Sequence, residues 1–234
     1  MDDLDTIAEY NWNNLPKYST TVFIASRRSG KSVMMRSVIY NEIIKKRKIK
    51  DIIVVSPTEF NQDYAFLPKK SMFTQFDDEF LQQILDRQSD AIKRDPMGNY
   101  DVVLVLDDIL GSTNKKTKDT LSRLFTLSRH YRLYIFMAVQ SIRFEYTPLC
   151  RLNTDIVVLF KSNSYDNKKE IRDLWLGFTE KGDRDKGFEI LDEVAQGYRT
   201  MIIDNTKTSK NIGEFCYHYT TDINRSVPAN YNLD

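Results

Sequence analysis

The chain has 234 residues, with 34 Lys and Arg against 33 Asp and Glu and a formal charge of +1, which excludes a strongly basic or strongly acidic protein. Hydrophobic residues make up 41% and aromatic residues 12%, enough apolar surface to bury a core and too much for a disordered segment. Two cysteines are too few for a disulfide framework, and two histidines leave no Cys/His cluster with zinc-site spacing, so a reducing compartment is expected.

The N-terminal stretch MDDLDTIAEY is acidic and polar where a secretory signal is basic and then apolar. The longest apolar run is far short of the ~20 residues that span a bilayer, so a soluble intracellular protein is expected. The length suits one globular domain. Residues 1–20, polar but carrying Trp12 and Pro16, are expected to pack as a strap on a domain at 21–224, and residues 225–234, with Pro228, to form an extended tail.

Short apolar runs rich in Val, Ile and Phe alternate with longer amphipathic stretches, the pattern of a mostly parallel sheet covered by helices. The predicted strands are Thr21–Ala25, Asp51–Ser56, Val102–Leu106, Leu133–Val139, Asp155–Phe160 and Arg199–Ile203, with a short one near Met72–Gln75. Between them, Met35, Val38, Ile39 and Ile43 share one helical face of residues 32–46. Leu81, Ile84, Leu85, Gln88 and Ile92 form a second stripe, and Leu121, Leu124 and Phe125 a third. Core packing is the ordinary role of such stripes.

The first predicted strand runs directly into ASRRSGKS at residues 25–32 and then into an amphipathic helix. A loop that cradles phosphate needs backbone N–H groups at a helix N-terminus, a lysine for the β- and γ-phosphates and a hydroxyl for Mg²⁺. Gly30, Lys31 and Ser32 fill those places, and Ala25, Ser26, Arg27, Arg28 and Ser29 complete the eight-residue Walker A length. Ala25 stands where the motif has its first glycine, a departure of one methyl group. Arg27 and Arg28 add charge suited to a polyphosphate.

Val102–Leu106 runs into Asp107 and Asp108, as in a Walker B element. A strand buried on both faces cannot bury unpaired charge cheaply, so the two acids are expected at its C-terminal end, where open α/β sheets bind ligands. Asp107 then suits Mg²⁺ and Asp108 the general base that activates water. Leu133–Val139 ends in Gln140, an amide placed to touch the γ-phosphate or the attacking water. The fold class that follows is α/β: a three-layer, RecA-like P-loop NTPase with a mostly parallel central sheet and an extra strand between the Walker A and Walker B strands.

On ASRRSGKS at 25–32, VVLVLDD at 102–108, LSRHYRL at 127–133 and MAVQS at 137–141, the chain resembles the FtsK/HerA superfamily of P-loop motors. Within it, the likeness is to the genome-packaging ATPases of poxvirus-like, giant-virus and virophage type. It spans residues 20–160 and departs at Ala25 and in having Asp-Asp where many related motors have Asp-Glu. The resemblance implies ATP and Mg²⁺ as cofactors and a homo-oligomeric ring in which a neighbour's arginine completes each site. Arg129 is the first candidate, with Arg143 and Arg151 behind it. It further implies double-stranded DNA as the substrate moved, a capsid or portal-vertex partner, and a place in the virion or at the virus assembly site.

A grip on DNA backbone calls for exposed cations. Lys45, Lys46, Arg47, Lys48 and Lys50 close the helix after the phosphate loop and suit a solvated helix end. The segment from Gly111 to Lys118, directly after the acidic pair, is the better candidate. The alternatives are a small-molecule or nucleoside kinase and a non-enzymatic nucleotide-binding assembly protein; Lys31, Ser32, Asp107 and Asp108 are all present, so a degenerate site is not supported.

Overall fold

The computed structural model describes residues 7–57, 62–109, 115–140, 142, 146–176, 186–209, 211–222 and 227–228. Residues 111–114, Arg143 and most of the 225–234 tail lie outside the described residues.

The described strands are β1 (Ala8–Glu9), β2 (Thr20–Ile24), β3 (Asp51–Val55), β4 (Met72–Phe73), β5 (Val102–Leu106), β6 (Leu133–Val139), β7 (Ile156–Leu159), β8 (Arg199–Asp204) and β9 (Cys216–Thr220). They form one sheet in the order β1-β9-β8-β7-β2-β6-β5-β3-β4. β8 is antiparallel to both its neighbours and every other pair is parallel, so β8 alone runs against the rest. β3 and β4 intervene between β2 and β5 in the chain but pair beyond β5. In space it is β6 that separates the two motif strands. The sheet is thus the mostly parallel, RecA-like arrangement that the sequence predicts.

Strand periodicity divides the core into two layers, since successive side chains point to opposite faces. On one face, Val22, Ile24, Leu104, Leu106, Ile135 and Met137 pack with Leu81, Ile84, Leu85, Leu121, Leu124 and Phe125, from helices α2 (Asp78–Arg94) and α3 (Lys115–Leu127). On the other, Phe23, Val103, Val105 and Phe136 pack with Met34, Met35, Val38, Ile39 and Ile43. The last five belong to helix α1 (Lys31–Val38) and its π-helical continuation Ile39–Lys46. Gln88 is the polar member of the α2 stripe and is satisfied there, its Nε2 donating to the carbonyls of Tyr100 at 2.7 Å and Tyr131 at 2.9 Å.

The N-terminal segment is part of the fold. Tyr10, Trp12 and Leu15 are buried in the α1-side core, and β1 adds an edge strand beside β9. Arg47 holds this segment: its guanidinium donates to the carbonyls of Trp12 at 3.0 Å, Asn13 at 3.1 Å and Leu15 at 2.6 Å. Lys45 sits 4.5 Å over the Tyr40 ring and Lys46 pairs with Glu42 at 2.6 Å, so much of the basic run after α1 is engaged within the chain.

Candidate functional site

β2 ends at Ile24, and Ala25 donates its amide to Val139 of β6 at 3.0 Å, tying the start of the phosphate loop to the neighbouring strand. The loop then turns through two left-handed residues, Arg28 at φ 64° and Gly30 at φ 89°. A Cβ on Gly30 would meet no atom within 4 Å, so the glycine is needed for its backbone angle rather than for space. Gly30 caps α1 from outside, its carbonyl accepting from Met34 at 3.0 Å, which leaves the amides of the first helical turn free of partners in the helix.

β5 delivers the two acids from across β6. Asp107, buried, donates its amide to the Val55 carbonyl at 3.0 Å, fixing the end of β5 to the end of β3. Its carboxylate meets Lys31 Nζ at 3.6 Å on Oδ1 and the Tyr64 hydroxyl at 3.0 Å on Oδ2. Burial pushes the Asp107 carboxyl above its ordinary value, and the Lys31 charge and the Tyr64 hydrogen bond work against that rise. Asp108 is exposed, stands at φ 57°, and accepts at Oδ1 from Gln140 Nε2 at 2.6 Å. Aspartate is among the few residues that tolerate the left-handed region, and such backbone outliers cluster at functional sites.

Ser26 to Ser32, Asp107, Asp108 and Gln140 line one cavity of about 460 Å³, together with Ser56 and Asp63. The structure therefore gathers the sequence-predicted phosphate loop, acids and glutamine into one place. Ala25 sits just below, buried at the head of the loop.

Arg129 is placed elsewhere. It lies in the 3-10 turn Ser128–Tyr131 that leads into β6, at the N-terminal edge of the sheet, whereas the phosphate loop is at the C-terminal edge. Five residues of strand put about 16 Å between those edges. There its side chain, still 62% exposed, pairs through the guanidinium with buried Asp155, which also accepts from the Thr20 amide at 2.9 Å. Arg151, in the helix Pro148–Leu152 just before β7, belongs to the same edge.

Sequence reasoning missed two contributions. Asp63 and Tyr64 reach the site from the β3–β4 connection, where neither periodicity nor a motif marks them. On the other side of the loop, a second cavity of about 540 Å³ is lined by Ser26 to Gly30 with Phe160, Lys161, Asn163, Ser164, Gly197, Tyr198 and Arg199. These come from the ends of β7 and the start of β8, a part of the chain without a motif.

A strand, a glycine loop at a helix N-terminus and two acids at the end of a strand one place removed define a nucleotide-binding P-loop protein of the RecA-like fold. The chain belongs to the Poxvirus A32 protein family, which it matches over residues 8–232. It is 28% identical over 221 residues to the protein L437 of Acanthamoeba polyphaga mimivirus, covering 88% of this chain and 74% of that one. To the protein 088R of Invertebrate iridescent virus 3 it is 28% identical over 204 residues, covering 86% and 75%. Among solved structures, B204, the DNA-packaging ATPase from Sulfolobus turreted icosahedral virus, has the same fold at TM-score 0.58 and 14% identity, covering 87% of this chain and 98% of that one. The conjugation coupling protein TcpA of pCW3 with ATPγS superposes at TM-score 0.59 and 13% identity, covering 87% and 60%.

Proposed function

We propose that the chain is an ATP-hydrolysing motor that moves double-stranded DNA during viral genome packaging. The observation that carries this reading is the single cavity in which the phosphate loop faces Asp107, Asp108 and Gln140. The loop amides and Lys31 hold the β- and γ-phosphates. Asp108, oriented by Gln140, takes a proton from water as that water attacks the γ-phosphorus and the bond to ADP breaks, leaving ADP and inorganic phosphate.

Ser32 and Asp107 line this cavity with hard oxygen donors, and among the described residues no group of three or more His, Cys, Asp or Glu is set to cage a metal. That donor set fits Mg²⁺, which is ordinarily held by one or two carboxylates together with substrate phosphates. Ser32 and Asp107 would hold it, and when bound it neutralises charge developing on the phosphates. The second cavity, with the Phe160 and Tyr198 rings beside the same loop, suits the base and ribose of the nucleotide.

Lys115, Lys116 and Lys118 stand in the first turns of α3, where the helix dipole disfavours cations. Lys115 and Lys116 are exposed, and a phosphate backbone is a partner that accounts for their position. Arg129 faces away from its own phosphate loop, so it acts, in this reading, on the nucleotide of the next subunit in a homo-oligomeric ring. Membership of the Poxvirus A32 protein family and the large-virus relatives favour a capsid or portal-vertex partner and a place at the virus assembly site. No described helix is long and apolar enough to cross a membrane.

The test is phosphate release from ATP with and without double-stranded DNA. Stimulation by DNA of any sequence, weakening as salt rises, is the expected result. A rate indifferent to DNA would count against the motor, and transfer of the γ-phosphate to a small acceptor would favour a kinase.

A further inference from the structure

We infer that Tyr64 is a positioning residue for Asp107, holding that carboxylate in the orientation in which it meets a divalent cation. The inference rests on the reading of Asp107 as the Mg²⁺ ligand and adds the residue that sets it.

Tyr64 enters from outside the two motifs. It ends the 3-10 turn Gln62–Tyr64 in the connection between β3 and β4, and its ring is 1% exposed, packed beside Phe66 in the α1-side core at a centroid distance of 6.4 Å. From there its hydroxyl reaches Asp107 Oδ2 at 3.0 Å. An ionised carboxylate only accepts, so the phenol is the donor. Lys31 Nζ lies 3.6 Å from the other oxygen, Oδ1. The two oxygens of Asp107 therefore have different partners, and the carboxylate cannot rotate without losing one of them.

The placement of the ring makes this more than a chance contact. A phenol 1% exposed in an apolar layer needs an acceptor, and here the acceptor is the acid at the end of β5. The neighbouring residue, Asp63, lines the phosphate cavity and pairs with Arg36 of α1 at 3.8 Å, so the turn is tied to α1 beside Tyr64. Partners of this outer kind set the orientation of metal-binding side chains, and their loss typically lowers metal affinity by about 10–100-fold.

The experiment measures Mn²⁺ binding to the chain saturated with ATPγS, by the loss of free-Mn²⁺ signal in electron paramagnetic resonance. Binding of a fluorescent ATP analogue in EDTA and thermal melting are followed alongside. Tyr64→Phe keeps the ring and removes only the donor. Its expected behaviour is wild-type nucleotide affinity in EDTA, a melting temperature within a few degrees of wild type, and Mn²⁺ affinity lower by about tenfold or more. Asp107→Asn should lose more, and Tyr64→Phe added to it should lose nothing further, because the hydroxyl acts through that carboxylate. Phe66→Leu, which disturbs the same packing without touching the hydroxyl, should lower the melting temperature and leave Mn²⁺ affinity unchanged.

Wild-type Mn²⁺ affinity in Tyr64→Phe, with Asp107→Asn weakened, would overturn the inference and leave the metal reading standing. Unchanged affinity in Asp107→Asn would overturn the metal reading itself. An additive loss in the double variant, or a Tyr64→Phe chain that unfolds while Phe66→Leu folds, would make Tyr64 a packing residue and end the proposal.

Discussion

Gln140 Nε2 donates to Asp108 Oδ1 at 2.6 Å, joining the residues that follow two adjacent parallel strands, β6 and β5. The pairing is a consequence of sheet order. Because β6 lies between β2 and β5, its terminal side chain faces both the phosphate loop and the acids. The amide cannot titrate, so it holds Asp108 by a donated hydrogen bond without competing for the proton that Asp108 takes up in its proposed role as general base.

Gln140→Leu should therefore keep ATP binding, which the proposal assigns to the loop and Lys31, and slow turnover by about 10–100-fold as Asp108 loses its orientation. Steady-state kinetics read the split: the rate falls while the nucleotide dissociation constant stays within about twofold. A loss confined to binding would place Gln140 on the ground-state phosphates instead.

Arg129 has two separable roles to test. Its ion pair with buried Asp155 predicts that Arg129→Ala lowers stability by about 1 kcal/mol, since the arginine is largely exposed and solvent weakens the pair. Its proposed action on a neighbouring site predicts an inactive chain that still binds ATP. Mixing Arg129→Ala with Asp108→Asn should restore part of the activity, because some interfaces then join an intact Asp108 to an intact Arg129. Stability loss without rescue on mixing would leave Arg129 a structural residue, and the same mixing test would pass to Arg151.

The site was legible where its chemistry is local. ASRRSGKS and the DD after VVLVL are contiguous, and β5 and β6 have the predicted limits because strands buried on both faces read as unbroken apolar runs. β1 and β9 escaped because the first is a two-residue edge strand and the second, CYHYT, lies beside it half-exposed and of mixed polarity. Helices Tyr165–Trp175 and Lys186–Val194 escaped as well; the first is largely polar, with only Ile171 fully buried. Tyr64 carries no local signal, since its role depends on where the β3–β4 connection folds back. Arg129 shows the same limit from the other side: its position in the sequence suggests a catalytic element, but only the direction of β6 reveals which edge of the sheet it occupies.

Arg47 should matter to stability more than its neighbours in the basic run. Arg47→Ala removes the donor to three carbonyls at residues 12, 13 and 15 and should cost about 1–3 kcal/mol in thermal or urea unfolding. Lys48→Ala, changing an adjacent charge, should cost less than about 0.5 kcal/mol. Equal losses would show that the contacts to the N-terminal segment add nothing.

Burial raises the phenols of Tyr10, Tyr134 and Tyr146 above their ordinary value and pushes the Cys216 thiol up to about 12. Each group is neutral when protonated, so a raised folded value contributes stability that is present below the ordinary pKa and lost as pH rises through the folded one. Stability should thus be insensitive to these groups near pH 7, begin to fall above about pH 9 through Cys216, and fall further above about pH 10 through the tyrosines. Tyrosinate absorbance for these residues should rise together with unfolding, and both buried cysteines should resist thiol reagents until then. Free titration of every tyrosine in the folded chain near its ordinary value would contradict this.

The most direct measurement of the central claim is nucleotide binding and ATP turnover compared in Asp108→Asn, with Lys31→Ala beside it. Asn keeps the shape of the side chain and an acceptor for Gln140 but cannot take up a proton. The account predicts wild-type ATP affinity and turnover reduced by about 10²–10⁴-fold in Asp108→Asn, and loss of binding itself in Lys31→Ala. Turnover near wild type in Asp108→Asn would contradict the assignment of this cavity as the site of hydrolysis.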